Sequence, residues 1–302
     1  MGRHPLFIPY AALASVCFFW GTTYVAIKMA LEMFPPIVLV AARFILSGGA
    51  LLIYAKLAGH VFPPHSILIR TALNGALTLG IANGCVVFAE TFIPSGMAAL
   101  FITTTPFWMT FTEAIVPGGA PLHRPTIIGM IVGFAGVAIL IGPDALGQSA
   151  DLALLWGFLL LQFGNFGWAT GSIFQKRLPK VSTPIITGGL QQITVGLLYL
   201  IPVLIFRPEL YEVSTRGVSA FVYLIIFGSI VGYSSYIIAL ERLPIAIVSI
   251  FTYVNPLVAV ILGWLIYREP FGWRQTLAMC VIFLGVWLVK KLSVPMPVKQ
   301  PS

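Results

Sequence analysis

Ionisable side chains are scarce in this chain. Only 9% of its 302 residues are Asp, Glu, Lys or Arg, and the acids number 9 in all. Soluble domains carry about 25% charged residues. The 3 cysteines, Cys17, Cys85 and Cys280, lie in separate apolar runs with no metal-ligand spacing, which marks them as buried filler. The 4 histidines, His4, His60, His65 and His123, fall outside the apolar runs. Neither H-E-x-x-H nor paired metal carboxylates occur, so no metal site is expected. No G-x-x-x-x-G-K-[ST] loop occurs, which excludes ATP binding by a P-loop. Ser234 and Ser235 have no histidine in any run to activate them. An enzyme has almost nothing to work with here, and no cofactor is called for.

What the chain has in abundance is apolar surface. It is 59% hydrophobic, with mean hydropathy +0.98. A 302-residue globule cannot hide that much, so most of it must face lipid or another membrane helix. A bilayer core about 30 Å thick takes about 20 apolar residues to cross as a helix. Ten such runs are present, at roughly 6–29, 36–57, 68–90, 94–116, 125–142, 152–174, 184–206, 217–240, 244–266 and 273–290. They are continuous rather than alternating, which argues against a β-barrel. Ala12-Leu13-Ala14 has the form of a signal-peptidase site, but the apolar run continues to Ala30, so span 1 is read as retained. The expected fold is all-α and integral to the membrane, with short loops and a short tail.

The net charge of +8 does not point to nucleic acid, because of where it falls. With ten spans and a cytoplasmic N-terminus, the inner segments hold Arg3, Lys56, Arg70, Arg124, Lys176, Arg177, Lys180, Arg242, Lys290, Lys291 and Lys299. The outer segments hold Lys28, Arg207, Arg216, Arg268 and Arg274. That bias follows the positive-inside rule and places both termini in the cytoplasm.

The chain also repeats itself. "LPIAIVSIFTYVNPLV" at 243–258 lies over "IPSGMAALFITTTPFW" at 93–108, with Pro244 on Pro94, Pro256 on Pro106 and Phe251 on Phe101. "WATGSIFQK" at 168–176 lies over "WGTTYVAIK" at 20–28, Pro184 falls on Pro36, and Gln191 on Arg43. The offset stays near 148–150 residues across five spans. Repetition at constant offset indicates duplication. Five is odd, so the second copy must lie upside down, an arrangement typical of transporters with a midplane site between the copies. The two units are 1–143 and 144–302.

Polar residues inside the runs are the candidate site. Pro94 and Pro244 follow short connections and fit first helical turns. Pro106 and Pro256 lie about twelve residues further on and are expected to kink their helices, freeing the carbonyls of Ile102 and Thr252. The hydroxyls of Thr103, Thr104 and Thr105, and Asn255, are placed to answer them. Self-satisfied kinks used for packing are the rival reading. Arg43 lies seven residues past Pro36, too deep for an idle charge. It is read as a substrate or gating residue, against a structural tie to a carboxylate. Glu90, with Asn83 two turns earlier on the same face of span 3, and Glu113 in span 4 are weighed against simple interfacial placement. Either glutamate can carry a proton once buried. Gln162, Asn165, Thr170, Gln191 and Gln192 serve either a site or interhelical packing. Trp20, Trp108, Trp168, Tyr233, Tyr236 and Tyr253 form either an aromatic-walled pocket or an interfacial belt. Gly129-x-x-x-Gly133 is a weak close-packing signal.

"FFWGTTYVAIKMALEMFPPIVLVAARFILSGGALL", "IANGCVVFAETFIPSGMAAL" and "TYVNPLVAVILGWLIYREPF" resemble EamA-type transporters of the drug/metabolite transporter superfamily, most of all the YedA-like branch of bacterial inner-membrane exporters. The resemblance spans essentially the whole chain. It implies ten transmembrane helices as two inverted five-helix EamA repeats, a location in the inner membrane and alternating access. It also implies efflux of small metabolites, amino acids or related compounds, or drugs. A facilitative pore or a structural membrane protein is the alternative. The substrate-binding candidates are Arg43, Trp20, Asn83, Glu90, Thr104, Trp168, Gln191, Tyr253 and Asn255. The partners expected are a small molecule and the bilayer, with proton coupling and a homodimer left open. The family usually carries a Glu about thirteen residues after the fourth- and ninth-span prolines. Glu269 fits after Pro256, but the first-half position holds Gly119.

Overall fold

The computed structural model describes residues 7–119, 121–146, 152–179 and 183–292. The expectations for Arg3, His4, Lys180, Lys299 and the C-terminal tail lie outside them. Among the described residues all regular structure is helical. Six stretches are long and apolar enough to cross a bilayer: Phe7–Leu31, Pro36–Leu57, His65–Ala89, Leu152–Arg177, Pro184–Phe206 and Thr215–Arg242. Thr126–Ile139, Phe251–Tyr267 and Trp273–Leu288 are shorter apolar helices.

In chain order the helices are α1 (Phe7–Leu31), α2 (Pro36–Leu57), α3 (His65–Gly75), α4 (Ala82–Ala89), α5 (Ser95–Ile102), α6 (Thr105–Ile115) and α7 (Arg124–Leu146). Then follow α8 (Leu152–Arg177), α9 (Pro184–Phe206), α10 (Thr215–Tyr223), α11 (Gly232–Arg242), α12 (Ile245–Val248), α13 (Phe251–Tyr267) and α14 (Trp273–Leu292). Proline punctuates the starts. Pro36 and Pro184 sit in the first turns of α2 and α9, where a missing N–H costs nothing. The Thr183 and Ser214 hydroxyls accept from Ile186 N (3.4 Å) and Gly217 N (3.0 Å), capping α9 and α10.

Two features depart from simple spans. The third and eighth crossings each contain a π-helical segment, Ala76–Ile81 and Leu224–Val231. The fourth and ninth are each broken. The expectation that Pro106 kinks a continuous helix is corrected: α5 ends at Ile102, and Pro106 stands in the first turn of α6. Pro106 has no N–H for the carbonyl of Ile102 and its ring crowds it, and the threonine run answers the freed carbonyls. Thr103, Thr104 and Thr105 Oγ1 donate back to the carbonyls of Leu100 (2.5 Å), Phe101 (2.9 Å) and Ile102 (2.6 Å). Each hydroxyl takes a carbonyl three residues back and satisfies it without a continuing helix. Pro256 does lie inside a helix, α13. The break in that crossing comes earlier, between α12 and α13.

α2 packs along α9 and α7 along α14, while α1 lies against α11 and α13 and α8 against α4 and α6. Lipid tails are as apolar as leucine, so close van der Waals approach holds such helices together. A Cβ at Gly196 of α9 would sit 2.6 Å from Ile45 N of α2, and one at Gly285 of α14 would overlap Gly133 of α7. The outward faces stay apolar: Leu197, Ile201, Leu204 and Ile205 of α9 are all exposed.

Candidate substrate site

A cavity opens where α1, α2, the third crossing, α8, the eighth crossing and α13 converge. Five sequence candidates line it: Trp20, Arg43, Asn83, Trp168 and Asn255. Thr105, Asn165 and Tyr233, named from sequence as polar or aromatic candidates, line it too.

The aromatic wall is built on Trp20. Its ring packs edge-on to Trp168 (5.3 Å) and Phe251 (5.3 Å), near Tyr236 (5.2 Å), and stacks with Tyr233 (6.4 Å). Its Nε1 donates to Gly228 O (3.0 Å), in the π-helical segment of the eighth crossing. Tyr199 OH makes the equivalent bond to Gly80 O (2.9 Å) in the π-helical segment of the third crossing. A π turn leaves carbonyls off the helical ladder, and here an aromatic side chain takes each up.

Arg43 is the charged group of the lining. It is 4% exposed. Nε donates to Ser229 Oγ (2.7 Å), again from the π-helical segment. Nη1 is buried without a hydrogen-bond partner, as are Asn83 Oδ1 and Trp168 Nε1. The expected structural tie from Arg43 to a carboxylate is absent. Ion pairs form elsewhere, between Lys28 and Glu269 (2.8 Å) and between Arg216 and Glu32 (3.6 Å). Asn255, with its amide turned to satisfy both ends, donates to Cys17 O (3.0 Å) and Phe251 O (3.1 Å).

Four candidates stand away from the lining. Thr104 lies behind Asn165, donating to Gln162 Oε1 (2.7 Å) and accepting from Asn165 Nδ2 (3.0 Å). Gln191 lies behind Tyr233, accepting from its hydroxyl (2.7 Å) and donating to Gln175 Oε1 (2.8 Å). Tyr253 packs on Phe283 (5.4 Å). Glu90 is 3% exposed, with both carboxyl oxygens free of hydrogen bonds, and feels the charges of Lys28, Glu269 and Arg43. Trp108 also leaves the pocket wall, donating to Gln162 Oε1 (2.8 Å). Sequence reasoning did not single out Ser229, Thr23 or Tyr24, which line the cavity. A glycine–serine pair in the middle of an apolar run was the only signal for Ser229.

A second polar cluster closes one end of the bundle. Arg268 is left-handed (φ 51°) at the C-cap of α13, and that turn brings Glu269 back over the start of α5. Glu269 accepts from Ser95 N (2.9 Å), Ser95 Oγ (2.9 Å), Gly96 N (3.0 Å) and Lys28 Nζ (2.8 Å). Burial pushes its carboxyl up, but the Lys28 bond and the Gly96 and Ser95 amides outweigh it and hold the group below its ordinary value. A carboxylate at a helix N-terminus also meets the favourable end of the helix dipole. At the same end Tyr267 OH donates to Glu32 and Tyr211 N to Met33 O (2.9 Å). The other end is held differently, by Lys176 Nζ to Leu243 O (3.3 Å) and Arg177 Nη1 to Pro117 O (3.0 Å).

Known proteins resemble this chain over its whole length. The EamA-like transporter family matches twice, at residues 7–142 and 155–290. An uncharacterised inner membrane transporter of Escherichia coli, YedA, is 32% identical, with 97% of this chain and 94% of that protein covered. A probable amino-acid metabolite efflux pump of the same organism is 27% identical, covering 89% of this chain and 90% of the other. One solved crystal structure shares the fold, with TM-score 0.68 at 18% identity over 94% of this chain and 97% of that one. A helical bundle with a polar cavity at its centre and two matches to one family in a single chain lead to one assignment: the chain belongs to the EamA-like transporters of the drug/metabolite transporter superfamily.

Proposed function

We propose that this protein is a secondary transporter of the inner membrane that exports small organic metabolites by alternating access. Its ten crossings form two inverted five-helix units, 1–143 and 144–302, with both termini in the cytoplasm. The central cavity carries the reading: it is walled by both units and lined by buried polar groups that the protein itself leaves unpartnered. Such groups are costly in a membrane and mark substrate paths. The packing supports the inversion. α1 meets α13 of the second unit, and α8 meets α6 of the first, which is the same contact with the units exchanged. The paired π-helical segments support it as well. The bias of basic residues toward the side read as cytoplasmic supports the orientation. The inner membrane and efflux come from what the relatives are called.

In this orientation the Lys28–Glu269 cluster faces the outside, where it would close the path while the cavity communicates with the cytoplasm. Export then requires the cluster to part. Purified protein in liposomes should show saturable uptake and counterflow: unlabelled substrate inside should accelerate entry of labelled substrate. Flux that never saturates and shows no counterflow would make this a pore and sink the carrier reading.

A further inference from the structure

We propose that the cavity selects organic monoanions, a carboxylate on an aromatic or branched apolar body, over zwitterions and cations. This rests on the cavity being the transport site. The argument starts from charge balance. Arg43 supplies the charge of the lining, and no acidic residue lines the cavity with it. It is 4% exposed, and its Nη1 has no hydrogen-bond partner. Glu90 acts on it electrostatically, yet the two make no ion pair among those found in the described residues. A buried cation without a counter-ion is expensive, and an anionic occupant removes that cost.

The other groups of the lining agree. Trp168 lines the same cavity, its Nε1 a donor only, beside Tyr236 (ring centroids 4.8 Å). The Arg43 guanidinium is itself the donor group that suits a planar carboxylate. Asn83 Oδ1 is an unpartnered acceptor among the fully buried atoms of the lining. It offers a place for one hydroxyl or amide hydrogen, and a single neutral acceptor does not balance a full ammonium charge. Phe44, Leu79, Val86, Trp20 and Phe251 make an apolar and aromatic part of the wall, beside neutral polar residues such as Thr105, Asn165 and Asn255. The aromatic faces could attract a cation. Trp20, however, is engaged by Trp168, Tyr236 and Phe251, and Arg43 repels a cation with a full unit charge in a low-dielectric site. The Coulomb effect is the larger.

Three probes of one shape separate the cases: 3-phenylpropionate (anion), phenylalanine (zwitterion) and 2-phenylethylammonium (cation). With the full-length protein in detergent, 3-phenylpropionate should raise the unfolding midpoint, and its affinity should exceed that of the cation by at least about tenfold. Arg43→Gln should erase the preference. Arg43→Lys should keep its sign and reduce its size, which shows that charge rather than disruption of the fold is read. Both variants are checked for a cooperative unfolding transition before binding is scored. Equal or tighter binding of the cation or zwitterion, an unchanged preference in Arg43→Gln, or no binding by any of the three would overturn the inference. Counterflow of the zwitterion or cation without the anion would sink it and leave the transporter reading standing. Binding of the anion with no counterflow would do the reverse.

Discussion

At the scale of single residues, Glu90 is the group that the cavity description leaves over. Its carboxyl is buried, hydrogen-bonded to nothing, and feels two charged neighbourhoods: Lys28 of α1 with Glu269 beyond α13, and Arg43 of α2. A carboxyl in such a place can change its charge as its neighbours move, because a shift of a few ångströms in an ion at low dielectric alters the field strongly. If export is driven by protons, this is where the proton rides. Glu90→Gln is then expected to make counterflow independent of pH between about 5 and 8, with substrate affinity held within about threefold. A variant that keeps the pH profile of the parent assigns Glu90 to packing.

Arg43 and Ser229 show what could and could not be read from residues alone. A charge seven positions into an apolar run announces itself. A serine in such a run does not, because nothing local says that a π-helical segment will turn it toward α2 (Arg43 Nε to Ser229 Oγ, 2.7 Å). The other lining residues that went unnoticed, Thr23 and Tyr24, have the same history. Side-chain direction across the interface of two units is a tertiary property, and apolar neighbours in sequence carry no trace of it.

At the scale of elements, the break in the fourth crossing is held by a polar knot. Thr104 Oγ1 donates to Gln162 Oε1, Asn165 Nδ2 donates to Thr104 Oγ1, and Thr105 Oγ1 lies 2.9 Å from Asn165 Oδ1. Asn165 also donates to Phe101 O (3.2 Å), so the loose end of α5 is tied to α8. Thr104→Val keeps the shape and removes the hydroxyl. It is expected to cost about 1–2 kcal/mol, the range for interhelical hydrogen bonds in membranes. The check is a lowered unfolding midpoint that Thr104→Ser restores. No shift in Thr104→Val would mean that the proline and backbone hold the break unaided. The sequence made this crossing's irregularity legible through its proline: the carbonyl that Pro106 leaves without an N–H is that of Ile102, the last residue of α5, and the Thr105 hydroxyl answers it. What it did not show is that the irregularity is a break between two helices rather than a kink in one. The breadth of the apolar runs, by contrast, was plain from composition, because a membrane accepts only segments whose backbone is satisfied internally.

At the scale of the whole molecule, the two units depart from each other at their ends. Lys28 and Lys176 are equivalent in the repeat; Lys28 meets the Glu269 carboxylate (2.8 Å), and Lys176 donates to Leu243 O (3.3 Å) among its contacts. The carboxylate that would mirror Glu269 is excluded as well as absent: a Cβ at Gly119 would overlap Glu113 O and sit 3.0 Å from Val116 O. Because the Glu269 carboxyl is held below its ordinary value in the folded protein, its ionised form is the stabilising one. Its contribution is complete above the unfolded carboxyl value of about 4.3 and fades as pH falls through the lowered folded value. Glu269→Gln removes it at every pH. The amides of Ser95 and Gly96 should then lose protection from hydrogen exchange by roughly tenfold or more, as expected for charge-assisted bonds of about 1.5–3 kcal/mol. In the parent protein the same loss should appear only in acid. Unchanged protection in Glu269→Gln at neutral pH would show that the cluster does not hold the start of α5.

The absence of a side chain at Gly119 bears on the rhythm of the cycle. Two units that were exact copies would meet equal barriers on opening toward either side, and the machine would idle evenly between its two faces. Under the proposed alternating access, Glu269 with no counterpart at Gly119 would make the barriers unequal. The step that exposes the Lys28 end would first have to part an ion pair and the bonds at the start of α5, and every 1.4 kcal/mol or so of that cost slows a step about tenfold. A transporter built this way waits with that end shut, its turnover paced by unbolting.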